Sequence, residues 1–107
     1  MESEVFFSLG IDELFKNDNP TQAIYLFSKF IEKYPNSFYA YYYRGLAYAE
    51  NRNYYKAFLD FCKAITINPL EPSLYYARLL AYSKFISSIS NIHNIIHNNT
   101  HNKILTK

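Results

Sequence analysis

A 34-residue period within the chain limits what it can fold into more than any other feature. Pro35 returns as Pro69, Ala23 as Ala57 and Phe27 as Phe61, each 34 residues on. At the same step Phe7 leads to Tyr41 and Tyr75, Leu14 to Tyr48 and Tyr82, and Arg44 to Arg78. A fixed period of this length marks supersecondary units that cannot bury their apolar faces singly and do so by stacking. The 107 residues hold about three such units and one small domain.

Each period reads as two helices. Tyr41, Gly45 and Tyr48 recur at steps of four and three, the spacing of one helix face. Asn51, Arg52 and Asn53 break that helix, and Ala57, Phe61, Ala64 and Ile65 form the apolar stripe of a second over 54–67. Asn68 and Pro69 end it, because the residue before a proline avoids the helical region. The first period follows suit, with helices over about 4–16 and 20–33. Asn19 serves as N-cap, Pro20 takes the first helical position, and Gln22 completes a capping box. Small residues (Ala23, Gly45, Ala57, Ala64) alternate with large ones (Phe27, Tyr41, Tyr48, Phe61), so helix backbones approach at some positions and rings fill others. The expected class is all-α. With only 2 Gly, a phosphate-cradling loop or a glycine-fingerprint nucleotide domain is excluded.

The run Tyr41, Gly45, Tyr48, Ala57, Phe61, Ala64 and Pro69 resembles the tetratricopeptide repeat: an aromatic, a small residue, an aromatic, then Ala, an aromatic, a small residue and Pro. The resemblance implies a solenoid of stacked antiparallel helix pairs with a right-handed superhelical twist. It divides the chain into a repeat domain over 1–86, with repeats at about 4–37 and 38–71 and a partial third at 72–86, and a tail over 87–107. Two departures stand out in the first repeat. Gly10 lies 35 residues before Gly45, one off register, and Phe30 stands where Ala is expected. In the third, Leu79 takes the Gly45 position and the pattern decays after Phe85.

In the resembled family the first helices of successive repeats line a concave groove that takes peptide segments of partner proteins. Here that groove would present Tyr39, Tyr42, Tyr43 and Leu46 from the second repeat, with Glu50 at its rim. The third would add Ser73, Tyr76, Ala77 and Leu80, with Lys84 at the rim; the first would offer Val5, Ser8 and Asp12. Tyrosine suits recognition, having large apolar area, few rotors and one polar end. The function implied is a protein–protein interaction module or adaptor. The alternative is a self-associating scaffold subunit or a piece of a longer repeat array. Some family members clamp the C-terminal carboxylate of a chaperone with paired Lys, Asn and Arg. The matching positions here are Phe7 and Ile11 (or Ser8 and Asp12), Tyr43, Ser73 and Ala77, which offer no cationic fork.

Chemistry of the chain's own is not expected. Cys62 sits mid-helix, away from any histidine, whereas a reactive thiol needs a helix N-terminus or a basic partner. One cysteine makes neither a disulfide nor a cysteine-rich zinc site. No cofactor is expected. A net charge of +2 is too balanced to argue for nucleic acid or a membrane surface. The start Met1-Glu2-Ser3-Glu4 is acidic and does not read as a secretory leader, so a cytoplasmic setting is expected.

Arg44 and Arg78 read as structural, lying along the helix packing or pairing with an acid such as Glu71. The tail is rich in Ile, Asn and His. Its spacing predicts a short helix to about His97 and disorder beyond. His93, His97 and His101 recur every four residues, which makes them a weak candidate for metal binding.

Overall fold

The computed structural model describes residues 2–105, with side chains through residue 100. Five helices follow one another: α1 (Glu2–Phe15), α2 (Pro20–Lys33), α3 (Phe38–Glu50), α4 (Tyr54–Ile67) and α5 (Pro72–Leu105). No strand occurs among the described residues. Connections of three or four residues fold each helix back against its predecessor. The result is an elongated stack, 67 × 30 × 21 Å.

The helix starts follow from local chemistry. Asn19 Oδ1 accepts from the Gln22 N–H at 3.2 Å, and Asn53 Oδ1 accepts from the Lys56 N–H at 3.3 Å, so each second helix has the same cap one repeat apart. The residue before each cap, Asp18 or Arg52, adopts positive φ (49° and 60°) to turn the chain. Only half of the expected capping box forms at Asn19: its own N–H donates to the Glu13 carbonyl at 2.8 Å instead of to Gln22.

The packing rests on two equivalent ring-on-glycine contacts. A Cβ on Gly10 would stand 2.6 Å from Phe27 Cε1, and one on Gly45 would stand 2.5 Å from Phe61 Cε1. Glycine is required at both because the ring occupies the volume of a side chain. Gly10 is therefore the true counterpart of Gly45, and the one-residue discrepancy lies in a loop. The Asn19 N–H reaches back six residues to Glu13, whereas the Asn53 N–H reaches back five to Tyr48. One extra residue separates α1 from α2, so equivalence within α1 runs at 35 rather than 34 residues. Phe7 thus corresponds to Tyr42, not Tyr41, and the rings agree: Phe7 lies 5.6 Å from Phe27 and Tyr42 lies 5.9 Å from Phe61. By the same offset Leu14 pairs with Ala49 rather than Tyr48.

Three buried clusters run along the stack. Leu14, Ala23, Phe27 and Ala47 form one; Ala57, Phe61, Ala77 and Ala81 form the next; Tyr41, Ala64 and Leu74 form the third. Phe30, at the position of Ala64, is buried by leaning on Phe7 (5.3 Å) and Tyr34 (4.7 Å).

The chain past residue 86 departs from expectation in its secondary structure: no separate short helix ends near His97, and α5 continues as one helix to Leu105. Asn, Ser and Thr lower helix propensity by tenths of a kcal/mol each (up to ~0.7 relative to Ala), which weakens a helix without breaking it. The actual breakers, Gly and Pro, are absent after Pro72. At 34 residues α5 is roughly 50 Å long, and its second half projects beyond the stack with residues 89–100 exposed.

Candidate functional site

A concave surface lies between the first helices of the second and third repeats. It is a cleft of about 470 Å³ between α3 and α5, floored by Phe61 of α4. That lies within the usual range of ligand sites, roughly 300–1,000 Å³. Tyr42 and Leu46 form the α3 wall, and Tyr76 and Leu80 the α5 wall. Glu50, Arg52, Tyr54 and Lys84 gather at one end, and Lys84 Nζ lies 5.7 Å from the centre of the Tyr54 ring. The cleft is thus apolar along its walls and charged at one mouth. Tyr76 is 70% exposed, a large ring held open to solvent. Burial, then the neighbouring Tyr43 and Glu71, push the Tyr42 phenol above its ordinary value, so it stays a neutral donor and acceptor.

Four of the six groove residues read from the sequence line this cleft: Tyr42, Leu46, Tyr76 and Leu80. Tyr39 and Tyr43 do not. They turn the other way, into the junction between α1 and α3. The Phe7 ring lies 5.1 Å from Tyr39 and 5.8 Å from Tyr43, and Phe15 lies 6.1 Å from Tyr43. Those rings fill the space that is open between α3 and α5. One repeat on, the counterparts of Tyr39 and Tyr43 are Ser73 and Ala77, which are too small to fill it. The cleft exists because of that exchange. The sequence carries the signal, Tyr to Ser and Tyr to Ala at a step of 34, but only in the knowledge of which face each helix turns to its neighbour. Ala49 and Tyr54 also line the cleft and escaped the sequence reading because they lie at and beyond the end of α3.

A part-buried ion pair fixes α3 in place. Arg44 donates to both Asp60 carboxylate oxygens at 2.8 Å and to Ser28 Oγ at 3.1 Å, tying α3 to α4 and α2. Its guanidinium also lies between Tyr41 (5.6 Å) and Tyr48 (5.8 Å). The partner is Asp60, not Glu71. Asp60 was hidden from repeat reading because its counterpart is Leu26. The Asp60 hydrogen bonds raise the Arg44 pKa further. Burial pushes the Asp60 carboxyl up from its ordinary value, and the Arg44 hydrogen bonds and charge oppose it. The fork geometry, with two short bonds, favours the ionised pair. Arg78 has no such partner at the matching position, Asn94, and rests over the Tyr75 ring at 5.4 Å.

The remaining candidates are quickly placed. Cys62 is half-buried in α4. His93 and His97 stack at 6.3 Å with nearly parallel planes, and the His101 side chain lies outside the described residues. No cluster of three His, Cys, Asp or Glu side chains fit to hold a metal occurs among the described residues. No helix among them is long and apolar enough to cross a membrane.

Comparison with protein-family models gives two matches, each described as tetratricopeptide repeat, one over residues 5–37 and the other over 26–58. Together they span residues 5–58, half of the chain. No curated protein matches it.

Proposed function

Since the chain belongs to the tetratricopeptide-repeat family, whose repeats mediate protein–protein interaction and are typically non-catalytic, we propose that it is an adaptor that captures a peptide segment of a partner in the α3–α5 cleft. The observation that carries this reading is the cleft itself: an apolar-walled channel with a solvent-exposed tyrosine at its lip and charges at one mouth. Its chemistry suits a segment that inserts one or two apolar side chains between Tyr42, Leu46, Tyr76 and Leu80. Arg52 and Lys84 outnumber Glu50 at the mouth, so an acidic residue beside the anchor fits best. Tyr39 and Tyr43 take no part in capture on this reading. Nor does a chaperone-type carboxylate clamp, because Ser73 and Ala77 supply no cation where the clamp needs two. A cytoplasmic setting, no resident cofactor and no nucleic-acid partner belong to the same proposal.

The test is a displayed random-peptide library panned on the wild-type chain and on a Tyr76→Ser, Leu80→Ser variant. Both residues are exposed, so circular dichroism should show equal helicity. Peptides that carry apolar anchors, bind the wild type and lose at least tenfold in affinity on the variant support the reading. Peptides held equally by both chains, or none enriched on a folded wild type, overturn it.

A further inference from the structure

Helices α3 and α5 carry the same face one repeat apart; that of α3 is covered, whereas that of α5 is largely open, with the Tyr82 ring leaning on Phe58 (5.8 Å) and the Tyr75 hydroxyl donating to the Pro69 carbonyl (2.6 Å). Tyr41 is 9% exposed against Ala64 and Leu74, and Gly45 lies under the Phe61 ring. Their counterparts on α5 are Tyr75 at 40%, Leu79 at 63% and, matching Tyr48, Tyr82 at 50%. The place that α4 takes on α3 is uncovered on α5 among the described residues. Leu79 is tolerated where Gly45 is required for the same reason: no ring presses on it.

The uncovered face does not stop at the body. Tyr75, Leu79, Tyr82, Ile86 and Ile89 follow steps of four and three, and Ile96 comes seven later. This is the 3.5-residue period of paired helices, and it carries no Lys, Arg, Asp or Glu. It spans roughly 32 Å of helix. The face is also symmetric about the point midway between Ile86 and Ile89. Laid antiparallel, two copies bring Leu79 to Ile96, Tyr82 to His93 and Ile86 to Ile89. Each body-borne half then covers the other's projection, and the contact closes with two-fold symmetry.

The projection itself calls for a partner. It consists mainly of Ser, Asn, His, Thr and Ile, residues of middling or low helix propensity. With no acid after Glu71, it contains no pair of opposite charges to support an isolated helix. Helices of such composition hold through packing rather than propensity.

We propose that the chain forms an antiparallel homodimer through α5, with the two-fold axis passing between Ile86 and Ile89 and the projection of each copy seated on the uncovered face of the other. This surface lies around α5 from the cleft, so it is independent of peptide capture.

Sedimentation velocity on the full chain tests it. The wild type should sediment as two 12.7 kDa chains, and an Ile86→Lys, Ile89→Lys variant as one, with its dissociation constant raised at least a hundredfold. Both residues are exposed in the single chain, so the body of the variant should still unfold cooperatively, at the urea midpoint the wild type shows when diluted below its dissociation constant. Direction is read by crosslinking. In a Cys62→Ala background, Leu79→Cys chains mixed with Ile96→Cys chains should be joined by a short bis-maleimide as unlike pairs. A wild type that stays a single chain at millimolar concentration, a dimer that survives the lysines, or crosslinks only between like chains each overturn the proposal.

Discussion

The junction between α1 and α3 and the junction between α3 and α5 are built from the same repeat and end differently. At the first, Tyr39 and Tyr43 pack against Phe7 and Phe15, and the space is closed by rings. At the second, Ser73 and Ala77 stand in the same places and a cleft of about 470 Å³ remains. The walls are alike: Phe7 and Ile11 on α1 correspond to Tyr42 and Leu46 on α3. Two positions per repeat therefore decide whether a junction is core or site, while the helix framework stays the same. A tyrosine count on this chain says little about recognition until each ring is assigned to one side or the other.

The largest effect should fall on α3, the helix both junctions share. Asp60→Ala leaves the half-buried Arg44 guanidinium without its carboxylate partner, and the expected cost is about 3–4 kcal/mol in urea unfolding, the lower part of the range for a buried pair. A loss under about 1 kcal/mol would mean the pair behaves as a surface one.

Next comes the contrast between the junctions. Tyr43→Ala should cost about 3 kcal/mol, because it empties a packed position. Tyr76→Ala, a tyrosine of the open cleft, should stay within about 0.5 kcal/mol. Equal costs for the two would break the distinction between closed and open.

Smaller again, Gly45→Ala forces a Cβ into the Phe61 ring and should cost about 1–3 kcal/mol, while Leu79→Ala at the matching place on α5 should be nearly neutral at concentrations where the chain is single. Thermal midpoints of the two variants measure this directly.

The smallest effect on stability should be the largest on function. Ser73→Tyr restores to α5 the residue that helps close the first junction. It should leave the urea midpoint unchanged and weaken capture of cleft-binding peptides at least tenfold. Undiminished capture would move the site elsewhere.

Much of the fold was legible beforehand for a local reason. The caps at Asn19 and Asn53, the breaks before Pro35 and Pro69, and the small and large residues that dock paired helices lie within one repeat of each other. The apparent slip at Gly10 was legible in part. Its cause, one extra residue between α1 and α2, shows only once Gly10 is seen under Phe27 as Gly45 is under Phe61. Arg44 was marked by recurrence, but its partner was not, because Asp60 has an apolar counterpart in Leu26 and an ion pair between helices leaves no periodic trace. The course of α5 was misjudged because weak helix formers were treated as breakers.

The sequence by itself determined that this protein is a stack of helix pairs and where most of them start and stop, because those choices depend on hydrogen bonds and steric limits spanning a few residues. The tertiary structure decided which junction closes, which tyrosines are core, what Arg44 holds, and which face of α5 is left uncovered. Each of these depends on the volume and charge that a different helix brings to the same space, and no stretch of one helix carries that information.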